Sequence, residues 1–518
     1  MPKFMSAEEA VSVIKDDDVL VTEAFMGNGQ PEVLYKALEK RFLETKHPAK
    51  LTLMHVSGQG NGRASQSNRL AHDGFLHRVI GAHYNVSPQI MKIIAENKIA
   101  AYNFPQGVMA QMMREIAGGK LGVFTHVGLK TFVDPRIEGG KLNEKAKAED
   151  LVSFMTIEGK EQLFFKAVPI NVCFLRGTYA DEKGNISMDK EPLLLETRSI
   201  AQATKNSGGI VIVQVEQKVK AGTIHPKDVV IPGICVDIVV TVPEIAEHMP
   251  EHVAVTPSLA GNIRIPESGA SLMEFSERKI IGRRGAMLLQ PDSVVNLGIG
   301  VPEAVAAVAN EEGIGKFFTL TMESGQIGGI PQLGERFGTS LNPEAIIQQP
   351  EQFDFYDGGG LDIAFLGLAE TDQFGNINVS KLPTRVPGCG GFIDITQNTK
   401  TVVFMGTFTA KGLEIESGDG TLKIKKEGTV KKFVSKVQQI TFSGDYARET
   451  GQTIYYMTER AIFELKQDGM HLTEIAPGID IDKHILPYMD FVPKMTMPVK
   501  TMDKRLFVDA LMGLSNDR

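Results

Sequence analysis

Cysteine is scarce: Cys173, Cys235 and Cys389 form an odd set with no metal-ligand spacing. That leaves no disulfide framework and points to a reducing, cytoplasmic setting. The eleven histidines are scattered without an HExxH or similar pair, so no metal site is expected. No apolar run approaches the ~18 residues that a membrane-spanning helix needs, and Met1-Pro-Lys-Phe-Met-Ser6 lacks the apolar core of a signal peptide. Cationic excess is missing too. Against 63 Asp and Glu stand 55 Lys and Arg, a net charge of −8, which gives no general attraction to nucleic acid or membrane. An anionic substrate must be held by local donors.

What the chain does have is length and glycine. Its 518 residues exceed one ordinary core, so at least two domains are expected. With 42% hydrophobic and 23% charged residues the composition is globular. Many of the 52 glycines fall in short clusters after apolar runs, which suits sites lined by backbone.

One stretch concentrates these features. Phe317 to Met322 is an apolar, β-leaning run with the flanks of a buried strand, and it breaks at once into Ser324, Gly325, Gly328, Gly329 and Pro331. At the junction stands one carboxylate, Glu323. In an open α/β sheet, ligands bind at the carboxyl ends of strands. A carboxylate there is a candidate nucleophile, base or metal ligand, although a turn Glu beside a Gly-rich loop explains the segment by itself.

Taken in order, the chain repeats itself. Ser6-Ala-Glu-Glu9 reads as a capping box opening a short helix. A strand around Val19–Val21 leads through Gly27-Asn-Gly29-Gln-Pro31-Glu32 into a helix from Val33. Downstream, a helix over Ser276–Met287 and a strand at Val294–Leu297 lead through Gly298-Ile-Gly300-Val-Pro302-Glu303 into a helix from Ala304. The shared string is G-x-G-x-P-E at a strand-to-helix turn. Two further echoes keep the order: Phe174 to Asp181-Glu-Lys-Gly-Asn185-Ile186 answers Phe365 to Asp372-Gln-Phe-Gly-Asn376-Ile377, and Asn206–Gln214 answers Asn398–Gly406. The chain is therefore expected to be two related α/β halves, residues 1–255 and 270–518, with a joint around Glu251–Ala270. Each half is an open, mainly parallel sheet covered by helices, and the site lies between the halves. The first half carries an additional segment within His55–Glu161.

The remaining motifs admit modest chemistry. Neither G-x-G turn completes G-x-G-x-x-G, because Pro31 and Pro302 interrupt it, and neither is a Walker loop. Their amides, at a helix N-terminus, suit an anion or a polarised oxygen. Pro387-Gly388-Cys389-Gly390-Gly391 offers amides for an oxyanion hole or, more plainly, a tight turn. Cys389 has no neighbouring base in sequence to activate its thiol. Gln106, between Pro105 and Gly107, presents a side-chain amide as a second oxyanion donor. Lys411 follows a strand at Thr401–Thr407, where it binds a phosphate or is simply solvated. The basic run Arg278–Arg284 reads as a polar helix face.

With these residues assembled, the whole chain resembles the family I CoA-transferases of the fused, single-chain propionate/acetate type. The β-half signatures are Val295 to Pro302, the Glu323 turn, Gly388 to Asp394 and Thr409 to Gly412. The α-half signatures are Pro105-Gln-Gly107 and Val230 to Asp237. Two departures stand out: Met322-Glu323-Ser324-Gly325 replaces the common Ser-Glu-Asn-Gly, and the α-half glycine signature is degenerate at Phe25–Pro31.

The resemblance implies that Glu323 is the nucleophile and carries a glutamyl-CoA thioester in a ping-pong reaction. It further implies that the Gly388 amide and Gln106 side chain are oxyanion donors. Gly298, Ile299, Gly300, Val301, Pro302, Gly390, Gly391 and Lys411 would contact CoA. CoA is then substrate and covalent intermediate, with no permanently bound cofactor and no metal. The expected partners are acyl-CoA and short-chain acids such as acetate, propionate or lactate, with the protein as a homo-oligomer. Rival readings are an acyl-CoA hydrolase on the same scaffold and a non-catalytic effector- or nucleotide-binding protein.

Overall fold

Runs that are apolar at nearly every position must be covered on both faces, which is the environment of a parallel strand beneath helices. Val19–Thr22, Leu51–His55 and the first part of Ile210–Val219 are such runs, and they lie at the heart of a sheet. A computed structural model describes the chain except for residues 250–255, 267–271, 333 and 517–518. Of the joint expected at Glu251–Ala270, residues 251–255 and 267–270 thus fall outside the described residues.

Packing divides the chain into two compact units that do not follow chain order. One comprises Met1–Ile265, Met322–Asp354 and Leu382–Asp394; the other comprises Pro266–Thr321, Phe355–Lys381 and Ile395–Arg518. The Glu323 turn and the Gly388 cluster, from late in the sequence, therefore pack in the same unit as Gln106.

In the first unit eight strands run parallel, in the spatial order Lys3–Phe4, Ile238–Thr241, Ile210–Val219, Val172–Asp181, Val19–Thr22, Leu51–His55, Leu76–Gly81, Ala100–Asn103. From Val19–Thr22 the chain winds first to one side and then, from Val172, to the other. The carboxyl ends of those two central strands mark the switch point at which such sheets open a crevice. The additional segment supplies Leu76–Gly81 and Ala100–Asn103, together with Gly122–Thr125 and Val152–Ile157, which pair antiparallel with the strand Lys160–Lys166 at its end.

In the second unit the parallel run is Thr319–Thr321, Val294–Leu297, Ile363–Gly367, Thr401–Met405, Thr453–Met457. Ala461–Lys466 and Gly469–Ile475 continue it antiparallel, and Lys494–Thr501 closes that edge. The strand expected over Phe317–Met322 is shorter than its apolar run, because Gly315–Phe317 forms a 3-10 turn whose last carbonyl accepts from the Asp292 amide. The other elements fall close to their expected places. The Ser6 capping box is formed, Ser276 caps the helix Glu277–Ala286, and the helices after the two G-x-G turns are Glu32–Thr45 and Glu303–Glu311.

The internal repeat has an atomic basis. Asp181 Oδ1 accepts the amides of Lys183 and Asn185, both at 2.9 Å, and Asp372 Oδ1 accepts those of Phe374 and Asn376 at 3.0 and 3.1 Å. Asn185 Oδ1 then accepts the Gly233 amide at 2.9 Å, as Asn376 Oδ1 accepts that of Gly444 at 3.0 Å. Ile186 bridges Ile231, and Ile377 bridges Phe442. Each Asp-x-x-Gly-Asn-Ile string is thus one turn of fixed geometry at the end of a strand, built twice.

Candidate active site

Glu323 sits in a turn closed by two hydrogen bonds, from the Met322 amide to the Gln326 carbonyl at 2.8 Å and from the Gly325 amide to the Met322 carbonyl at 2.9 Å. Gly325 has φ +107°, and a β-carbon there would lie 2.2 Å from the Ile347 carbonyl oxygen, so only glycine fits. Ser324 Oγ donates to the Gly338 carbonyl and pins the turn from its other side. Glu323 keeps some accessible surface, yet protein surrounds it closely. Burial raises its pKa to about 7, and the favourable approach of the Gln106 side chain only partly offsets this.

Gln106 is the first residue of the helix Gln106–Ala117 and is 2% exposed. Its amide nitrogen donates to the Gly390 carbonyl at 3.0 Å, which ties the start of the helix to the glycine cluster. Its Nε2 faces the Glu323 carboxylate without a hydrogen bond of ordinary geometry, leaving a buried donor uncommitted.

The glycine cluster wraps around this pair. A β-carbon on Gly391 would lie 2.8 Å from Glu323 Oε2 and 3.2 Å from Phe353 Cζ. One on Gly390 would be 3.8 Å from Gln106 Oε1 and 3.9 Å from His83 Cδ2. Gly388, at φ +84°, has the Ala82 carbonyl oxygen 2.7 Å from its would-be β-carbon. The Gly390 amide is spent on the Ala82 carbonyl at 2.8 Å, whereas the Gly388 and Gly391 amides donate to no acceptor among the described residues. Residues far apart in the chain are thus gathered near one carboxylate, and of the two free backbone donors Gly391 lies against it.

Cys389 points elsewhere. Its Sγ contacts the Phe104 carbonyl at 3.4 Å, and burial, then the neighbouring Asp394 charge, push its thiol well above the ordinary range. It is a poor source of thiolate.

Sequence reasoning missed His83, Asn103 and Phe353. His83 and Asn103 stand at the carboxyl ends of Leu76–Gly81 and Ala100–Asn103, and that position was the available signal. Burial, and then nearby His55, lower the His83 pKa to about 4, so its ring is neutral near pH 7. Phe353 had no signal. It matters because a β-carbon on Gly107 would come within 2.7 Å of it.

The other expected CoA contacts lie in the second unit. Gly298 donates its amide to the Phe365 carbonyl at 2.8 Å, and a β-carbon there would meet Leu366 Cδ2 at 2.9 Å. Ile299 is 54% exposed, and Gly300 has φ +91° with open space where a side chain would be. Arg278 donates to the Gly300 carbonyl and to Glu303, so part of the expected polar helix face serves to hold this turn. Val301 and Pro302 lead into the helix Glu303–Glu311. Lys411 is exposed at φ +60° after the short strand Thr409–Ala410.

Comparison with known proteins gives the chain its family. The profile of the Coenzyme A transferase family matches residues 4–241. The chain is 46% identical over 520 residues to the caffeate CoA-transferase of Acetobacterium woodii, covering 99% of each. It is 42% identical over 510 residues to the acetate CoA-transferase YdiF of Escherichia coli (strain K12), covering 98% of this chain and 96% of that one. The crystal structure of the acyl-CoA transferase YdiF apoenzyme from Escherichia coli O157:H7 superposes with a TM-score of 0.94 at 41% identity, covering 99% of this chain and 97% of that one. A thioester complex of that enzyme with CoA gives 0.93. A relative of such identity over nearly the full length of both chains leaves one reading: the protein is a member of the coenzyme A transferase family.

Proposed function

We propose that this CoA-transferase exchanges CoA between short-chain carboxylic acids, acetate and propionate foremost and lactate as a further candidate, with Glu323 as the covalent carrier. The observation that carries the reading is the Glu323 carboxylate, raised to about 7 by burial and faced by the uncommitted Gln106 amide. A carboxylate of that basicity is a better nucleophile than an ordinary one, and it is still substantially ionised near pH 7.

In the first half-reaction a Glu323 oxygen attacks the thioester carbonyl carbon; the C–S bond breaks, and CoA thiolate leaves behind an acyl-glutamyl anhydride. The thiolate attacks the glutamyl carbonyl, the anhydride C–O bond breaks, and the free carboxylate departs. The acceptor carboxylate then reverses both steps. No net proton is exchanged. Charge that gathers on the carbonyl oxygens is met by the Gly388 amide and the Gln106 side chain, a role that in other enzymes is worth about 3–4 kcal/mol per donor. Gly298 to Pro302, Gly390, Gly391 and Lys411 hold the CoA, whose remote contacts supply binding energy used at the reacting carbonyl.

Residues 1–255 and 270–518 are read as the α-like and β-like halves, supported by the Asp181 and Asp372 turns built alike. A homo-oligomer in the cytoplasm completes the proposal. Initial-rate kinetics test it: propionyl-CoA and acetate should give parallel double-reciprocal lines and acid-dependent turnover without net release of CoA. Intersecting lines, or CoA released at the same rate without acetate, would replace transfer by a sequential mechanism or by hydrolysis.

A further inference from the structure

Asn103 ends the strand Ala100–Asn103 and is fully buried. Its side chain carries two N–H donors and an acceptor oxygen, and both donors and the oxygen are used on the frame of the site. Nδ2 donates to the carbonyls of Gly81 and Ala82 at 2.9 and 2.6 Å, and Oδ1 accepts the Cys389 amide at 2.9 Å. The Gly388 β-carbon position lies 2.8 Å from Nδ2, so the absence of a side chain at residue 388 is what lets Asn103 reach across. Two backbone bonds run alongside, from the Tyr84 amide to the Pro387 carbonyl at 2.7 Å and from the Gly390 amide to the Ala82 carbonyl at 2.8 Å. Neither of these fixes the peptide between Gly388 and Cys389; the Asn103 bond to the Cys389 amide does.

The consequence is a division of donors within four residues. Cys389 and Gly390 have their amides tied down, while Gly388 and Gly391 keep theirs open, Gly391 lying against the Glu323 carboxylate. Asn103 also stands three residues before Gln106 in the chain, and Gln106 is bonded to the same loop through the Gly390 carbonyl. We propose that Asn103 is the positioning residue of this transferase: it aims the Gly388–Gly391 loop and Gln106 at the carbonyl of the glutamyl and acyl intermediates, and it acts on the reaction only through them. The inference rests on the reading of the Gly388 amide as an oxyanion donor.

The test compares N103A, N103D, G388A and the double variant N103A/G388A in the full-length protein, by kcat, by KM for acyl-CoA and by quenched-flow mass spectrometry of thioester formation. N103A should lower kcat and the rate of thioester formation about 100-fold, the typical cost of a lost oxyanion donor, with KM for acyl-CoA within about threefold. The double variant should be no slower than the slower single variant, because both substitutions disable one element. Should N103A not fold, N103D decides: its carboxylate still accepts the Cys389 amide but opposes the Gly81 and Ala82 carbonyls. Its rate relative to the parent should then rise as pH falls and the new acid regains a donor. Native kcat in folded N103A, multiplicative losses in the double variant, or a pH-independent N103D ratio would overturn the inference. If G388A itself keeps the native rate, the oxyanion reading is what fails; if G388A is slow and N103A is not, only the role of Asn103 falls.

Discussion

A methyl group on Gly391 would lie 2.8 Å from Glu323 Oε2. The nucleophile and the glycine that admits it are therefore one fitted pair, and the space beside the carboxylate exists because residue 391 lacks a side chain. G391A is expected to displace the carboxylate or the Phe353 ring and to lower kcat at least tenfold while the protein stays folded. Steady-state kinetics beside a melting curve check this, and unchanged kcat would show that the carboxylate has room to spare.

The pH dependence should report the same carboxylate. Only ionised Glu323 attacks, and burial places its pKa at about 7. The acid limb of kcat/KM is thus expected to fall about tenfold per pH unit below that value. A rate that stays flat down to pH 5 would mean that an ordinary, solvated carboxylate does the work.

Gln106 lowers the Glu323 pKa by its approach and is expected to lower the barrier as well. In Q106A, kcat should drop on the order of 100-fold and the acid limb should move to higher pH, since the ionised carboxylate loses its polar neighbour. A lower rate without movement of the limb would assign Gln106 to folding alone.

Stability should carry a separate pH signature. Glu23 and Glu196 are buried side by side; burial pushes Glu196 to about 8, and burial together with the Glu196 charge raises Glu23 well above the carboxylate range. Thr197 Oγ1 donates to Glu23, while neither Glu196 oxygen has a hydrogen-bond partner among the described residues. A carboxyl whose folded pKa exceeds its unfolded value favours the folded state most at acid pH. Its contribution is complete below about pH 4 and erodes up to about pH 8, by at most ~1.4 kcal/mol per pH unit and group. E196Q should flatten that slope, with a gain in melting temperature at pH 8 that is absent at pH 4. An unaltered slope would place the proton elsewhere.

How far the sequence could be read follows from which signals are local. Asp181 to Ile186 and Asp372 to Ile377 announced a duplicated turn because the Asp carboxylate bonds that close it join residues two and four apart. The G-x-G turns and the Ser6 capping box were legible for the same reason. Glu323 stood out as a carboxylate at the end of an apolar run, and Gly388 as part of a dense glycine cluster. Local pattern left open what lay opposite them. The bond from Asn103 to Cys389 joins residues 286 positions apart, and nothing in either segment marks the other. Phe353 is an ordinary aromatic of the helix Gln349–Asp357 until Gly107 and Gly391 are seen against it. Nor did the apolar run Phe317–Met322 disclose that its first residue closes a 3-10 turn, since a short buried run looks alike in either setting.

The most direct measurement is mass spectrometry of the protein after incubation with an acyl-CoA and no acceptor acid. A CoA-sized adduct should appear on the peptide that contains Glu323, be absent in E323A, and disappear when acetate is added. An adduct on the Cys389 peptide, or undiminished exchange of CoA by E323A with no adduct at all, would contradict a glutamyl-CoA thioester.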